Sequence, residues 1–299
     1  MKVFVTGVNG QLGHDVMLEL SRRGHETVGS GSGCAYRGMP DIAAMPYVSL
    51  DITKAQQVEE VFVRERPDAL IHCAAWTAVD AAEEPENEPK CRLVNVNGTA
   101  NLACACWAVG AKMLYVSTDY VFSGEGERPW TTEDPVGPMS VYGKTKLEGE
   151  QAVRSQLDRY FIVRTAWVFG QNGGNFVKTM LRLAEKHDTL RVVCDQIGAP
   201  TYTVDLARLL VDMIESEHYG VYHAANEGGH ISWYDFACEI FQQAGKSVQV
   251  LPVTTEEYGL NKAPRPKNSR LDTSKLTRVG FAPLPDWKDA LRRFLSSLQ

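Results

Sequence analysis

No stretch of the 299 residues approaches the roughly 18 consecutive apolar residues that a membrane-spanning helix requires, so no membrane partner is expected. Basic residues are not in excess either. Lys and Arg number 31 against 37 Asp and Glu, a net charge of −6, which argues against a general nucleic-acid surface. Any phosphate must therefore be held by local groups. Cysteine is scarce and odd in number: there are seven, and Cys104 and Cys106 stand closer than the two-residue gap of a zinc clip. No disulfide framework or zinc site follows, and the thiols are expected to be buried. Internal repeats and low-complexity tracts are absent. Residues 1–7 enter a strand-like pattern at once, without the charged region, apolar stretch and cleavage site of a secretory signal, so the expected compartment is the cytoplasm.

What is present is an ordinary globular composition, 44% hydrophobic and 23% charged, in a chain long enough for a helix-covered sheet and a second lobe. Short apolar runs at 3–6, 26–29, 69–73, 113–117 and 160–165 alternate with helical patterns at 11–23, 55–66, 89–109 and 141–155. This is the rhythm of βαβ units around a parallel sheet, and the run 69–73, apolar but for His72, suits a strand covered on both faces. After Trp167 the rhythm loosens into helical patterns at 176–186, 205–217, 233–244 and 287–298, separated by proline-rich loops. The expected class is α/β, a doubly wound parallel sheet over residues 1–166 with a smaller C-terminal α/β substrate lobe over 167–299, some later segments returning to the first body. The polar segment 265–268 is expected to be an exposed binding or capping loop.

Two motifs carry chemistry. Gly7, Gly10 and Gly13 join the first strand to the first helix, where one glycine permits the turn, one lets the backbone approach a pyrophosphate, and one lets helix pack on strand. A glycine triplet alone is weak evidence, but its place between strand and amphipathic helix makes it a dinucleotide cradle. The end of the second strand, Val28-Gly29-Ser30-Gly31-Ser32-Gly33, carries no ribose-binding carboxylate. Nothing there repels a 2′-phosphate, and Arg37 is near, so NADPH is favoured over NADH. The second motif is Tyr142 and Lys146, four residues apart on one helix face. A lysine cation beside the phenol is expected to lower the tyrosine pKa and help it protonate a carbonyl oxygen. Thr118, at the end of the preceding strand, could bond the same oxygen.

The Gly-x-x-Gly-x-x-Gly spacing resembles the short-chain dehydrogenase/reductase superfamily, whose cofactor domain is of Rossmann type. With residues 74–80, 117–122, 142–146, 164–170, 195–201 and 268–271, the chain is similar to the dTDP-4-dehydrorhamnose reductase family over nearly its whole length. That resemblance implies reduction of the C4 ketone of dTDP-4-dehydro-L-rhamnose, with Tyr142 as proton donor, Lys146 as its activator and ribose ligand, and Thr118 as carbonyl partner. It implies Gly10, Gln11 and Leu12 at the pyrophosphate, Asp51 and Ile52 at the adenine, and Ala75, Trp76 and Thr77 at the nicotinamide, with Asn95 bracing the cofactor. For the dTDP-sugar it implicates Val79, Asp119 and Trp167, with Asn175 and Phe176 at the nucleotide and Arg265 or Arg270 at the diphosphate. Some members hold magnesium between subunits, but no compact carboxylate cluster marks such a site here and no metal is expected. A homodimer is left open. Two rivals remain: another nucleotide-sugar epimerase or dehydratase, and a regulatory subunit similar to the methionine adenosyltransferase partner. Asp119-Tyr120 stands where related dehydratases carry Asp-Glu, which favours simple reduction.

Overall fold

Both sides of the apolar strands are buried, as their composition requires. In β1 (Lys2–Thr6), Val3 and Val5 face one apolar cluster and Phe4 faces another, and all three are fully buried. The same alternation runs through β4 (Ala69–His72), where Ala69 and Ile71 join the first cluster and Leu70 the second. The computed structural model describes residues 1–260 and 262–298.

With β2 (Glu26–Gly31), β3 (Tyr47–Ser49), β5 (Lys112–Thr118) and β6 (Tyr160–Thr165), these strands form a parallel sheet. Beyond Trp167 come the short strands β7 (Val168–Phe169), β8 (Thr189–Val193), β9 (Ile197–Gly198) and β10 (Thr201–Tyr202). Then β11 (Gly220–Ala224) returns to pair with β6, giving the seven-stranded order β11-β6-β5-β4-β1-β2-β3. The first body thus takes residues from both sides of position 167. The chain runs outward from β1 to β3 and crosses back to β4, so a crevice opens beyond the C-terminal ends of β1 and β4, the switch point at which open α/β sheets bind ligands.

One face of the sheet is covered by α1 (Gln11–Arg22) and by a later helix that packs on it, Thr203–Glu215. The other is covered by α2 (Ala55–Glu65), α5 (Thr99–Val109) and α6 (Val141–Gln156), with the short turns α3 (Val79–Ala82) and α4 (Glu88–Arg92) packed on α6. The continuous helix expected over 89–109 is interrupted by a π-helical stretch, Leu93–Gly98. There the Thr99 hydroxyl donates to the Asn95 carbonyl at 2.7 Å, and the Asn95 side chain turns towards the Trp76 backbone. The cysteine expectation holds for Cys91 and Cys106. It fails for Cys34 and Cys104, which are exposed because one lies in the loop after β2 and the other on the outer side of α5. All seven are free thiols.

A separate apolar cluster builds the second lobe from α7 (Phe176–Ala184), the helix Trp233–Gln243 and the helix Trp287–Ser296, through Val177, Phe236, Ile240, Trp287, Leu291 and Phe294. Strand β8 pairs with Gln249–Val253 at its edge. The loop 265–268 is less exposed than expected: Asn268 is buried, its side chain donating to the Arg128 carbonyl at 2.8 Å and its carbonyl accepting from the Trp130 indole at 3.1 Å.

Among the described residues, the core carries one ion pair buried on both sides. Arg164 on β6 forks onto Glu150 of α6, with Nε to Oε1 at 2.9 Å and Nη2 to Oε2 at 2.7 Å, and Ser117 donates to Oε1 at 2.6 Å. Both charged side chains are about 2% exposed or less. Removing one partner strands the other charge away from water, so Glu150→Ala is expected to lower unfolding stability by about 3–5 kcal/mol, read from urea denaturation.

Candidate active site

At the end of β1 the backbone is packed too tightly for side chains. Gly7 has φ +73°, and a Cβ there would lie 2.6 Å from the Ala74 nitrogen, while a Cβ on Gly13 would lie 2.4 Å from the Gly7 carbonyl oxygen. Gly7 thus lets β1 meet the loop after β4, and Gly13 lets α1 sit on the turn. Gly10 caps α1 without a side-chain bond, leaving the N–H groups of Gln11, Leu12 and Gly13 outside the helical ladder. This is a cradle for a pyrophosphate at a helix N-terminus, and a dinucleotide fits it.

The cradle opens into a cleft of about 1110 Å³ between the two lobes. Ser30, Gly31, Ser32, Asp51 and Ile52 line its far end, where the adenosine half of a dinucleotide would lie. The Asp51 carboxylate is held by its own turn, accepting from Thr53 Oγ1 at 2.7 Å, and Ile52 packs against Gly98. Arg37 is exposed, its backbone N–H donating to Asn9 Oδ1 at 2.9 Å. Ala75, Trp76 and Thr77 line the centre. Asn95 does not line the cleft; it lies behind this loop, its Oδ1 accepting from the Trp76 N–H at 2.8 Å.

Tyr142, Lys146, Thr118 and Asp119 converge where β5 ends. Helix α6 begins there because the Ser140 hydroxyl caps it, accepting from the Gly143 N–H at 3.0 Å. Lys146 is 2% exposed; its ammonium donates to the Val116 carbonyl at 2.7 Å and lies 4.0 Å from the centre of the Tyr115 ring. The Thr118 hydroxyl donates to Asp119 Oδ1 at 2.9 Å.

The electrostatics correct the expected tyrosine pKa. Burial pushes the Tyr142 phenol well above its ordinary value, opposed by the neighbouring Thr118 hydroxyl and raised further by Asp119. Burial also pulls Lys146 down to about 7, with Glu150 resisting, so desolvation outweighs the cationic help anticipated from the spacing. The phenol is therefore protonated at neutral pH, the state a proton donor needs. Asp119 is raised to about 6 by burial, with the Ser269 and Thr118 hydroxyls resisting.

Val79 of the first body and, from the second-lobe side, Trp167, Phe176 and Arg265 line the cleft, whereas Asn175 and Arg270 do not. Trp167 has φ +50° and stacks on Trp233 with ring centres 3.6 Å apart; Phe176 packs on Trp233 at 4.5 Å. Asn175 caps α7, accepting from the Lys178 N–H at 3.0 Å, and donates to Gln11 Oε1 at 2.9 Å. Arg265 forms an ion pair with Asp80 and donates to the Tyr120 hydroxyl at 3.0 Å. Arg270 turns to Asn268 Oδ1 at 2.9 Å. Sequence reasoning missed Asn9, Gln196, Trp233, Tyr258 and Ser269, all of which line the cleft. Trp233 had a findable signal, the Ser232-x-x-Asp235 capping box that starts its helix.

A glycine cradle at the switch point and a buried Tyr–Lys pair beneath it define a nicotinamide-dependent oxidoreductase of the extended short-chain dehydrogenase/reductase class. More narrowly, the chain belongs to the RmlD substrate binding domain family, whose model matches residues 1–299. It is 40% identical over 294 residues to the spore coat polysaccharide biosynthesis protein SpsK of Bacillus subtilis, covering 98% of this chain and 96% of that one. It is 41% identical over 301 residues to the dTDP-4-dehydrorhamnose reductase of Streptomyces griseus, covering 98% and 93%. Its fold matches the solved Bacillus anthracis dTDP-4-dehydrorhamnose reductase in complex with NADP, with a TM-score of 0.90, 40% identity and 99% of each chain covered.

The Lys146 shift has a stability consequence. Between pH about 7 and 10.5 the unfolded chain binds a proton that the folded chain does not, so this group makes the fold more stable as pH rises through that window. From pH 7 to 9 the thermal midpoint of the cofactor-free wild type is expected to gain on that of Lys146→Met, as read by calorimetry; parallel pH curves would refute the buried lysine.

Proposed function

We propose that the chain reduces the C4 ketone of dTDP-4-dehydro-L-rhamnose to dTDP-L-rhamnose, the last step in making that activated sugar, with NADPH or NADH as hydride donor. The observation that carries this reading is the meeting of Tyr142, Lys146 and Thr118 in one cleft between a dinucleotide cradle and an aromatic-walled second lobe. The full-length relatives named for this reaction support it.

The nicotinamide, when bound, supplies the hydride; the N–H groups of Gln11, Leu12 and Gly13 would hold its pyrophosphate. Tyr142 gives its proton to the ketone oxygen as negative charge develops there. Its raised pKa keeps that proton on the phenol until the ketone oxygen takes it, and Lys146, when protonated, would lower the cost of the phenolate left behind. Thr118 stands at the end of β5 beside Tyr142, and its hydrogen, directed to Asp119, would turn to the same ketone oxygen. Trp167 forms an apolar wall for the methyl face of a deoxysugar. Dehydration would need a further acid–base residue after Asp119; that position holds Tyr120, whose hydroxyl is raised to about 12 by burial and bonded to Arg265. A purely regulatory subunit has no need of a buried, desolvated Lys146. We infer the cytoplasm as the compartment, residues 167–299 as the main source of the substrate lobe, and a homodimer as the assembly to test by light scattering.

Reduction is checked by cofactor oxidation at 340 nm with dTDP-4-dehydrorhamnose generated in place. Tyr142→Phe is expected to lower kcat by about 10²–10⁴-fold while the NADPH Kd stays within about threefold, since only the proton donor is lost. Near-normal turnover in that variant would refute the mechanism. Arg37→Ala is expected to raise the KM for NADPH about tenfold and leave that for NADH nearly unchanged, the pattern for loss of a charged contact to the 2′-phosphate.

A further inference from the structure

The segment Asp195–Thr201 places a committed polar side chain in the cleft. Gln196 is 6% exposed and lines the cleft with Val193, Met180, Trp233 and Tyr258. Its amide nitrogen donates to the Thr255 hydroxyl at 3.0 Å. That hydroxyl spends its own hydrogen on Asp195 Oδ1 at 2.7 Å, and the Thr255 backbone N–H donates to the same oxygen at 2.9 Å. The chain of donors runs one way, from Gln196 to Thr255 to Asp195. It therefore fixes the amide: the nitrogen must face Thr255, and Oε1 must face away from it as an acceptor. Among the described residues, no donor within the chain is bonded to Oε1.

We propose that Gln196 reads the pyrimidine of the nucleotide, its Oε1 accepting the imide N3–H that thymine and uracil carry. The inference rests on the reading of the substrate as a dTDP-sugar and names how its base is chosen. Cytosine presents an acceptor at N3, so two lone pairs would meet and a buried carbonyl would be left unpaired, the kind of mismatch that discriminates most strongly. The surroundings suit a flat base: Trp233 and Tyr258 offer ring surfaces, and Val193 and Met180 are buried apolar contacts. The second-lobe location is also consistent with the topology, since the dinucleotide cradle occupies the opposite end of the same cleft. The helix Thr255–Tyr258 that orients the amide is held from its other end, where Arg191 Nη2 donates to the Glu257 carbonyl at 3.2 Å.

The test measures binding of dTDP, dUDP and dCDP by calorimetry to the NADPH-loaded full-length protein, together with turnover of the dTDP-keto-sugar. Wild type is expected to bind dTDP and dUDP at least about tenfold more tightly than dCDP. Gln196→Leu should lose that preference and raise the KM for the keto-sugar about tenfold, with the loss falling on KM rather than kcat and the NADPH Kd unmoved. Thr255→Val keeps the glutamine but lets its amide turn over, and should weaken the preference for dTDP and dUDP over dCDP to a smaller extent. If wild type reduces the keto-sugar and Gln196→Leu still prefers dTDP to dCDP, the assignment of Gln196 is overturned and the reaction stands. If wild type turns over no dTDP-sugar but Gln196→Leu erases an imide preference, the base reader stands and the proposed substrate falls.

Discussion

The site depends on a helix whose core-facing stripe is polar. On α6, Thr145, Lys146, Gly149 and Glu150 are all buried against the sheet, where an ordinary amphipathic helix would present leucine or valine. Each polar group is answered: Lys146 by the Val116 carbonyl, Glu150 by Arg164 and Ser117, and Thr145 by the Tyr142 carbonyl. Gly149 makes room for this, since a Cβ there would lie 2.4 Å from the Tyr115 hydroxyl. Buried charge is costly unless paired, so the helix can settle only in the register that satisfies all of these groups together. That register brings Tyr142 over the end of β5. The same desolvation that makes the arrangement expensive also sets the chemistry, holding the phenol protonated and the lysine close to neutrality.

A second constraint joins the lobes. The loop after β7 reaches across to the glycine turn, where Asn172 Nδ2 donates to the Asn9 carbonyl at 3.0 Å and to the Gly10 carbonyl at 3.1 Å, while Asn175 holds the Gln11 side chain. The cradle is therefore braced by the second lobe, and one continuous cleft runs from the cradle to that lobe. On the opposite wall, Asp80 accepts from the backbone N–H groups of Lys262 and Ala263 and pairs with Arg265. The arginine expected at a diphosphate is thus already tied to the first body, one residue from Val79.

Much of this was legible in advance because local signals and tertiary outcome agree. The apolar strands, the glycine spacing and the four-residue Tyr142–Lys146 interval all report backbone constraints that act within one strand, turn or helix. The helix interruption at Leu93–Gly98 was not legible, because after Pro89 the pattern to 109 carries no further proline to break it; the π turn is accompanied by the local Thr99–Asn95 bond and by the contact that Asn95 makes with Trp76 across the fold. Asn175 shows the same limit. Its place in the sequence suggests a nucleotide contact, but its side chain is consumed by capping α7 and by Gln11.

By itself, then, the sequence determined the α/β class, the parallel sheet, the glycine cradle and the placing of Tyr142 and Lys146 on one helix face, since periodicity, glycine placement and helical spacing act over a few residues. Only the tertiary structure decided the direction of the Tyr142 and Lys146 pKa shifts, the return of β11 to the first sheet, the pairing of Arg265 with Asp80, and the orientation of Gln196. Each of these depends on burial or on a partner far away in the chain, and neither desolvation nor a contact from residue 80 to residue 265 leaves a mark on local sequence.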